Sequence, residues 1–200
     1  MTRPLGWLAL CGLHGAASLL WWWSGAATVD AFTWHADRWT QQPWTLWTSA
    51  WVHLNTAHLV GNLLVLGAYL TIGWVVRPDG RCALAWLLAW PLVTLSLPGW
   101  PEIRFVAGLS GLLHAGALVV AVHIALGRLP IRRARFWGLV LGAAVLLKVL
   151  LEQAWQHPVV WDATNGLFVV QASHLAGVFW GTVLGLATGW PWRNTAEPAL

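Results

Sequence analysis

Ser110 stands between two glycines, in Gly108-Leu109-Ser110-Gly111, where a polar loop passes into an apolar run. Far downstream, Ser173-His174-Leu175-Ala176-Gly177 brings a histidine into the last apolar run, and His53, His58 and Asn62 cluster at the head of another. A serine hydroxyl attacks a carbonyl poorly unless a base takes its proton, and histidine is the usual base. The oxyanion formed then needs preorganised donors, either backbone N–H groups or an Asn or His side chain. A helix starting at Ser110 supplies free N–H groups, and His58 and Asn62, four residues apart, project from one helical face. The chemistry expected is acyl transfer, with Ser110 as nucleophile, His174 as base, and Asn62 and His58 completing the oxyanion hole.

These residues need a scaffold, and composition says which kind. With 58% hydrophobic and 9% charged residues, the chain falls outside ordinary water-soluble domains, where about a quarter of residues are charged. Six apolar runs approach the ~20 residues that cross a bilayer core: residues 5–23, 57–76, 82–97, 110–126, 136–151 and 167–188. All are expected to be helical, because lipid offers the backbone no hydrogen-bond partners. The reading is one all-α membrane domain over residues 1–193, with a short cytoplasmic tail at 194–200. Many of the tryptophans (Trp21 to Trp23, Trp44, Trp47, Trp74, Trp100, Trp137, Trp155, Trp161, Trp190, Trp192) end apolar runs, the depth at which an indole prefers to sit. The long first loop, with Trp34, Trp39, Trp44, Trp47 and Trp51, is expected to fold onto the bilayer surface.

Arg3, Arg77, Arg81, Arg128, Arg132, Arg133, Arg135 and Arg193 fall on one side of these runs, and only Arg38 and Arg104 on the other. Positive charge marks the cytoplasmic face, so both termini are expected inside. Ser110, His58, Asn62 and His174 then all enter from the outer face, His174 about two turns into its helix. The first run also has features of a signal peptide, with Ser24-Gly25-Ala26-Ala27 as a cleavage region; its length and three terminal tryptophans suit an anchored span better. Few basic residues lie outside the loops between runs, so a nucleic-acid surface is not expected.

The sixth run carries Gly177, Gly181, Gly185 and Gly189 at intervals of four. Small residues let helix backbones approach closely in lipid, and Gly111, Ala115 and Gly116 offer the matching surface beside Ser110. The stripe predicts a contact that carries His174 to Ser110, or else dimerisation through the same face. Among the other histidines, His114 lies one turn below Ser110, within reach of His174. His53 is a candidate to orient the first loop or its neighbours, His14 and His123 have no evident role, and His35 and His157 read as solvated. Lys148 and Glu152 read as an exposed i,i+4 pair with the lysine snorkelling. Cys11 and Cys82 match no metal or redox spacing and read as buried thiols.

Taken together, His53-Leu-Asn-Thr-Ala-His58-Leu-Val-Gly-Asn62, Gly108-Leu-Ser110-Gly and Ser173-His174-Leu-Ala-Gly177-Val-Phe-Trp-Gly181 resemble the rhomboid intramembrane serine proteases, in that family's order and on the second, fourth and sixth of six spans. The resemblance implies a Ser110/His174 dyad without an acidic third member, and an oxyanion hole from Asn62, His58 and the Ser110 N–H. It also implies a cofactor-free, metal-free site opening outward, with transmembrane substrate helices entering from the lipid. Two departures stand out: Trp44-Thr45 replaces a frequent Trp-Arg in the first loop, and His114 replaces a tyrosine that stacks on the catalytic histidine. Gly-Leu-Ser-Gly-Leu-Leu-His114 in so short a chain resembles the rhombosortase branch, bacterial inner-membrane enzymes that cut C-terminal Gly-Gly sorting tails near the periplasmic face. The competing expectation is a non-catalytic relative that binds and escorts membrane helices.

Overall fold

The computed structural model describes residues 4–190; Arg3, Trp192, Arg193 and the tail 194–200 lie outside the described residues. The chain is mostly helical. Helix α1 (Leu5–Trp23) leads into a first loop holding α2 (Ala26–Phe32), strand β1 (Trp34–His35) and α3 (Thr45–Thr48). Then come α4 (Thr56–Val75), α5 (Gly80–Leu95), β2 (Phe105–Val106), α6 (Ser110–Ala125) and α7 (Ala134–Glu152). A hairpin of β3 (Val160–Asp162) and β4 (Leu167–Val169) precedes α8 (Gln171–Gly189). Four stretches are long and apolar enough to cross a membrane: Leu5–Trp23, Thr56–Val75, Gly80–Gly99 and Ala134–Glu152. Helix α6 is apolar but has only 16 residues, and α8 is diluted by Gln171, Ser173, His174 and two threonines.

Side-chain caps set two helix starts. Asn55 Oδ1 accepts the His58 N–H at 2.8 Å at the head of α4, and Asp79 Oδ1 accepts the Arg81 and Cys82 N–H groups at 3.0 and 3.1 Å at the head of α5. Such caps satisfy donors that the helix itself cannot.

The sixth run departs from expectation at its start. Leu167–Val169 pairs antiparallel with Val160–Asp162, with Trp161 opposite Phe168. A short apolar run does not distinguish strand from helix; the turn before it does. Asp162 Oδ1 accepts the Thr164 and Asn165 N–H groups, and Gly166 turns the chain at φ +64°. Helix α8 therefore begins at Gln171, and His174 sits in its first turn rather than two turns down.

The first loop builds a core of its own. Trp34 is fully buried with Leu46, Leu97, Ile103, Val106 and Ala172, and β1 pairs with β2 through Trp34 and Val106. Indole N–H groups tie the loop down: Trp44 to the Ala31 carbonyl (3.0 Å), Trp90 to the Trp47 carbonyl (2.8 Å) and Trp51 to His14 Nδ1 (3.1 Å). That last bond gives His14 a role. Thr45 is buried and donates to the Gln42 carbonyl. His35 is not simply solvated but pairs with Asp30, which also holds Arg38; His157 is exposed.

Trp23, Trp74, Trp137, Trp155, Trp161 and Trp190 are exposed at run ends. Trp7, Trp86 and Trp90 are core residues between α1, α5 and α6. The glycine stripe packs against α6 of the same chain. A Cβ on Gly177 would lie 2.1 Å from the Gly111 carbonyl oxygen, and one on Gly181 2.4 Å from that of Ala115. Gly181→Leu is expected to lower the unfolding midpoint in detergent, costing about 1–3 kcal/mol or more by overpacking. Gly61→Leu, where nothing lies within 4 Å of a Cβ, should leave it unchanged.

Candidate active site

Close approach of α6 and α8 puts two helix heads side by side. Ser110 is the first residue of α6 and His174 the fourth of α8, and Ser110 Oγ lies 3.0 Å from His174 Nε2. The approach depends on Gly111, whose Cβ would meet the Ser173 carbonyl oxygen at 2.8 Å. Gly108 adopts φ +119° and donates its N–H to the Ser49 carbonyl. A Cβ there would fall 2.4 Å from the His58 ring, so only glycine lets the loop pass over that imidazole.

The resemblance led to no acidic partner for His174, and the sequence read Glu152 as half of an exposed surface pair. The structure corrects both. Glu152 Oε2 and Oε1 lie 3.0 and 3.2 Å from His174 Nδ1, and the Glu152 side chain is only 18% exposed. Lys148 does pair with Glu152, through Oε1, so the carboxylate bridges a lysine and the imidazole. An ionised carboxylate only accepts hydrogen bonds. Nδ1 must therefore carry the proton and donate it, which leaves the Nε2 lone pair facing the Ser110 hydroxyl. Glu152 ends α7, where Gln153 takes a left-handed conformation at φ +51°. With its amide nitrogen turned toward them, Gln171 at the head of α8 donates to the Glu152 and His157 carbonyls, joining the end of α7 to the start of α8.

His114 lies one turn into α6, and its ring stacks on His174 with centroids 4.2 Å apart and planes 21° from parallel. Its Nδ1 donates to the Ser110 carbonyl at 2.7 Å. The stack holds one face of the imidazole while Glu152 holds its edge.

Asn62 is buried, and a relay of donors orients it. The Trp51 carbonyl accepts from His53 Nδ1 at 3.0 Å, so His53 Nε2 carries a lone pair and accepts one Asn62 amide hydrogen at 3.0 Å. Burial, together with the neighbouring His58, lowers the His53 pKa to about 4, keeping the ring neutral at physiological pH. The second Asn62 amide hydrogen is left for another acceptor. The neighbour that His53 orients is Asn62. His58 sits 5.0 Å from His53, ring to ring, and its Nδ1 is buried without a partner among the described residues.

Ser110, His174, Asn62 and His58 line a common cleft of about 220 Å³, which Phe168 of β4 and Val170 also line. The N–H groups of the first helical turn, beginning at Ser110, have no partners within α6. The arrangement has the parts for acyl transfer: a hydroxyl, a base in the right tautomer, an orienting carboxylate, and an amide at the same cleft. If Asn62 acts on an oxyanion, Asn62→Ala lowers kcat by about 10²–10³-fold. His53→Phe should then cost roughly tenfold alone and little on top of Asn62→Ala, a non-additivity that a double-mutant cycle reads directly.

No protein-family model matches this chain, and no curated protein matches it either.

Proposed function

We propose that this chain is a rhomboid-type intramembrane serine endopeptidase that cuts single-span membrane proteins near their outer ends. What carries the reading is the line Glu152–His174–Ser110, assembled from the end of α7 and the heads of α8 and α6, and opening into a cleft beside a buried, oriented Asn62. The supporting frame is six spans, formed by α1, α4, α5, α6, α7 and α8, with both termini in the cytoplasm of a bacterial inner membrane. The distribution of arginines favours that orientation, which sets the cleft at the periplasmic side. Among rhomboid-type enzymes the rhombosortase branch fits best, on His114 in the stacking position.

In this mechanism the Ser110 hydroxyl attacks the scissile carbonyl while His174 Nε2 takes its proton. The developing oxyanion is met by the Asn62 amide and by N–H groups of the first turn of α6. Collapse breaks the C–N bond, and His174 returns the proton to the departing amine. Water, activated by the same imidazole, then hydrolyses the acyl ester and restores Ser110. Glu152 stays ionised throughout and stabilises the imidazolium that forms at each step.

The test is reconstitution. Purified chain in liposomes, mixed with a single-span reporter carrying a Gly-Gly tail, is expected to yield new termini near the outer end of the span, read by mass spectrometry. A chain that binds the reporter and leaves it intact would be an escort for membrane helices instead.

A further inference from the structure

At the end of α6 remote from Ser110, three side chains of metal-binding type meet. Asp79, Cys82 and His123 bring one ligand atom each within 4.8 Å of one another. Asp79 caps α5, Cys82 lies in its first turn, and His123 is in the last turn of α6, thirteen residues and so roughly 20 Å from Ser110. Asp79 and Cys82 are three apart in sequence, but His123 is brought to them only by the packing of α5 on α6.

The state of His123 points to a ligand. The ring is fully buried, and its Nε2 lies 3.0 Å from Thr188 Oγ1. That hydroxyl gives its own hydrogen to the Leu184 carbonyl at 2.8 Å, so it accepts from His123 and Nε2 carries the ring proton. Nδ1 is then a bare lone pair, buried and without a hydrogen-bond partner among the described residues. The Nε2–Cδ2 edge faces α8, where a Cβ on Gly189 would meet both atoms at 3.2 Å; Nδ1 lies on the opposite edge. A neutral imidazole oriented through its other nitrogen is the usual form of a metal-bound histidine.

We propose that Asp79, Cys82 and His123 Nδ1 bind a divalent transition-metal ion of the zinc class. Sulfur, nitrogen and carboxylate oxygen together suit zinc, which takes four ligands in tetrahedral array; water reaching the half-buried Asp79 supplies the fourth. On binding, the Cys82 thiol releases its proton to solvent and coordinates as thiolate. A dication with one thiolate and one carboxylate is neutral, which limits the cost of holding it at a largely buried position. Arg128 nearby is committed through Nε to the Gly189 carbonyl at 2.7 Å. The ion would pin the start of α5 to the end of α6, bracing the helix that carries Ser110 from its far end. This site is separate from the proteolytic one, and either proposal can fail without the other.

The experiment uses the full chain, purified with a tag that contains no histidine, stripped with chelator and titrated with Co²⁺. The expected result is one equivalent bound, with a thiolate-to-cobalt charge-transfer band that Zn²⁺ displaces. Cys82→Ser should abolish the band, His123→Gln should weaken binding at least ~100-fold, and Thr188→Val about 10- to 100-fold through loss of ring orientation. Cys11→Ser should change nothing. A wild-type chain that develops no charge-transfer band overturns the proposal, whatever the variants do. A band that survives Cys82→Ser, or disappears in Cys11→Ser, overturns it equally.

Discussion

Ser110→Ala is expected to abolish proteolysis, lowering kcat on the order of 10⁵- to 10⁶-fold, with no fall in expression or unfolding temperature. His174→Ala should do the same, and the double variant should be no worse than either single one. That non-additivity is the signature of a nucleophile and base acting as a unit. It follows from the 3.0 Å contact between Ser110 Oγ and His174 Nε2, since either partner alone leaves a hydroxyl without a base or a base without a hydroxyl. The measurement is initial rates on the reconstituted reporter at saturating substrate. A retained rate in either variant means that the hydrolytic step lies elsewhere.

Glu152→Ala is the second large effect, and it separates this chain from a simple Ser/His dyad. Removing the carboxylate frees His174 Nδ1, so the imidazole can take the wrong tautomer and turn away from Ser110. Loss of the acid in soluble triads costs about 10⁴-fold. Here the His114 stack still holds the ring face, so roughly 10²–10³-fold in kcat is expected, with KM little changed. Asp in place of Glu152 should recover part of the rate, and Lys148→Met should cost far less than Glu152→Ala. Equal losses in kcat and in folded protein would mean that Glu152 serves only to join α7 to α8.

The contact between Ser110 and His174 was legible in the sequence because both residues announce themselves by place: Ser110 between glycines at a helix head, His174 three residues before a glycine stripe. That stripe also foretold which helices touch, since a four-residue interval leaves one face bare and the backbone of α6 fills it. Glu152 was not legible. Lys148 one turn earlier offered a sufficient surface explanation, and nothing local indicates that the end of α7 abuts the start of α8. The signal available was a carboxylate at the same end of the bundle as Ser110 and His174.

The start of α8 at Gln171 was not legible for a different reason. Leu167-Phe168-Val169-Val170 is apolar enough to extend a span, and only Asp162 and Gly166 mark it as the return strand of a hairpin. His123 posed the hardest case, because its partners Asp79 and Cys82 lie on another helix. Trp34 and Trp51 were read as interfacial for want of the loop core that encloses the first and the His14 bond that holds the second.

The most direct measurement of the central claim is the intact mass of the purified protein after exposure to a fluorophosphonate, followed by peptide mapping. A single phosphonyl adduct on Ser110, formed by the wild type and lost in His174→Ala, is the predicted result. No adduct on the folded wild-type protein, or an adduct at another residue with Ser110 unmodified, would contradict it.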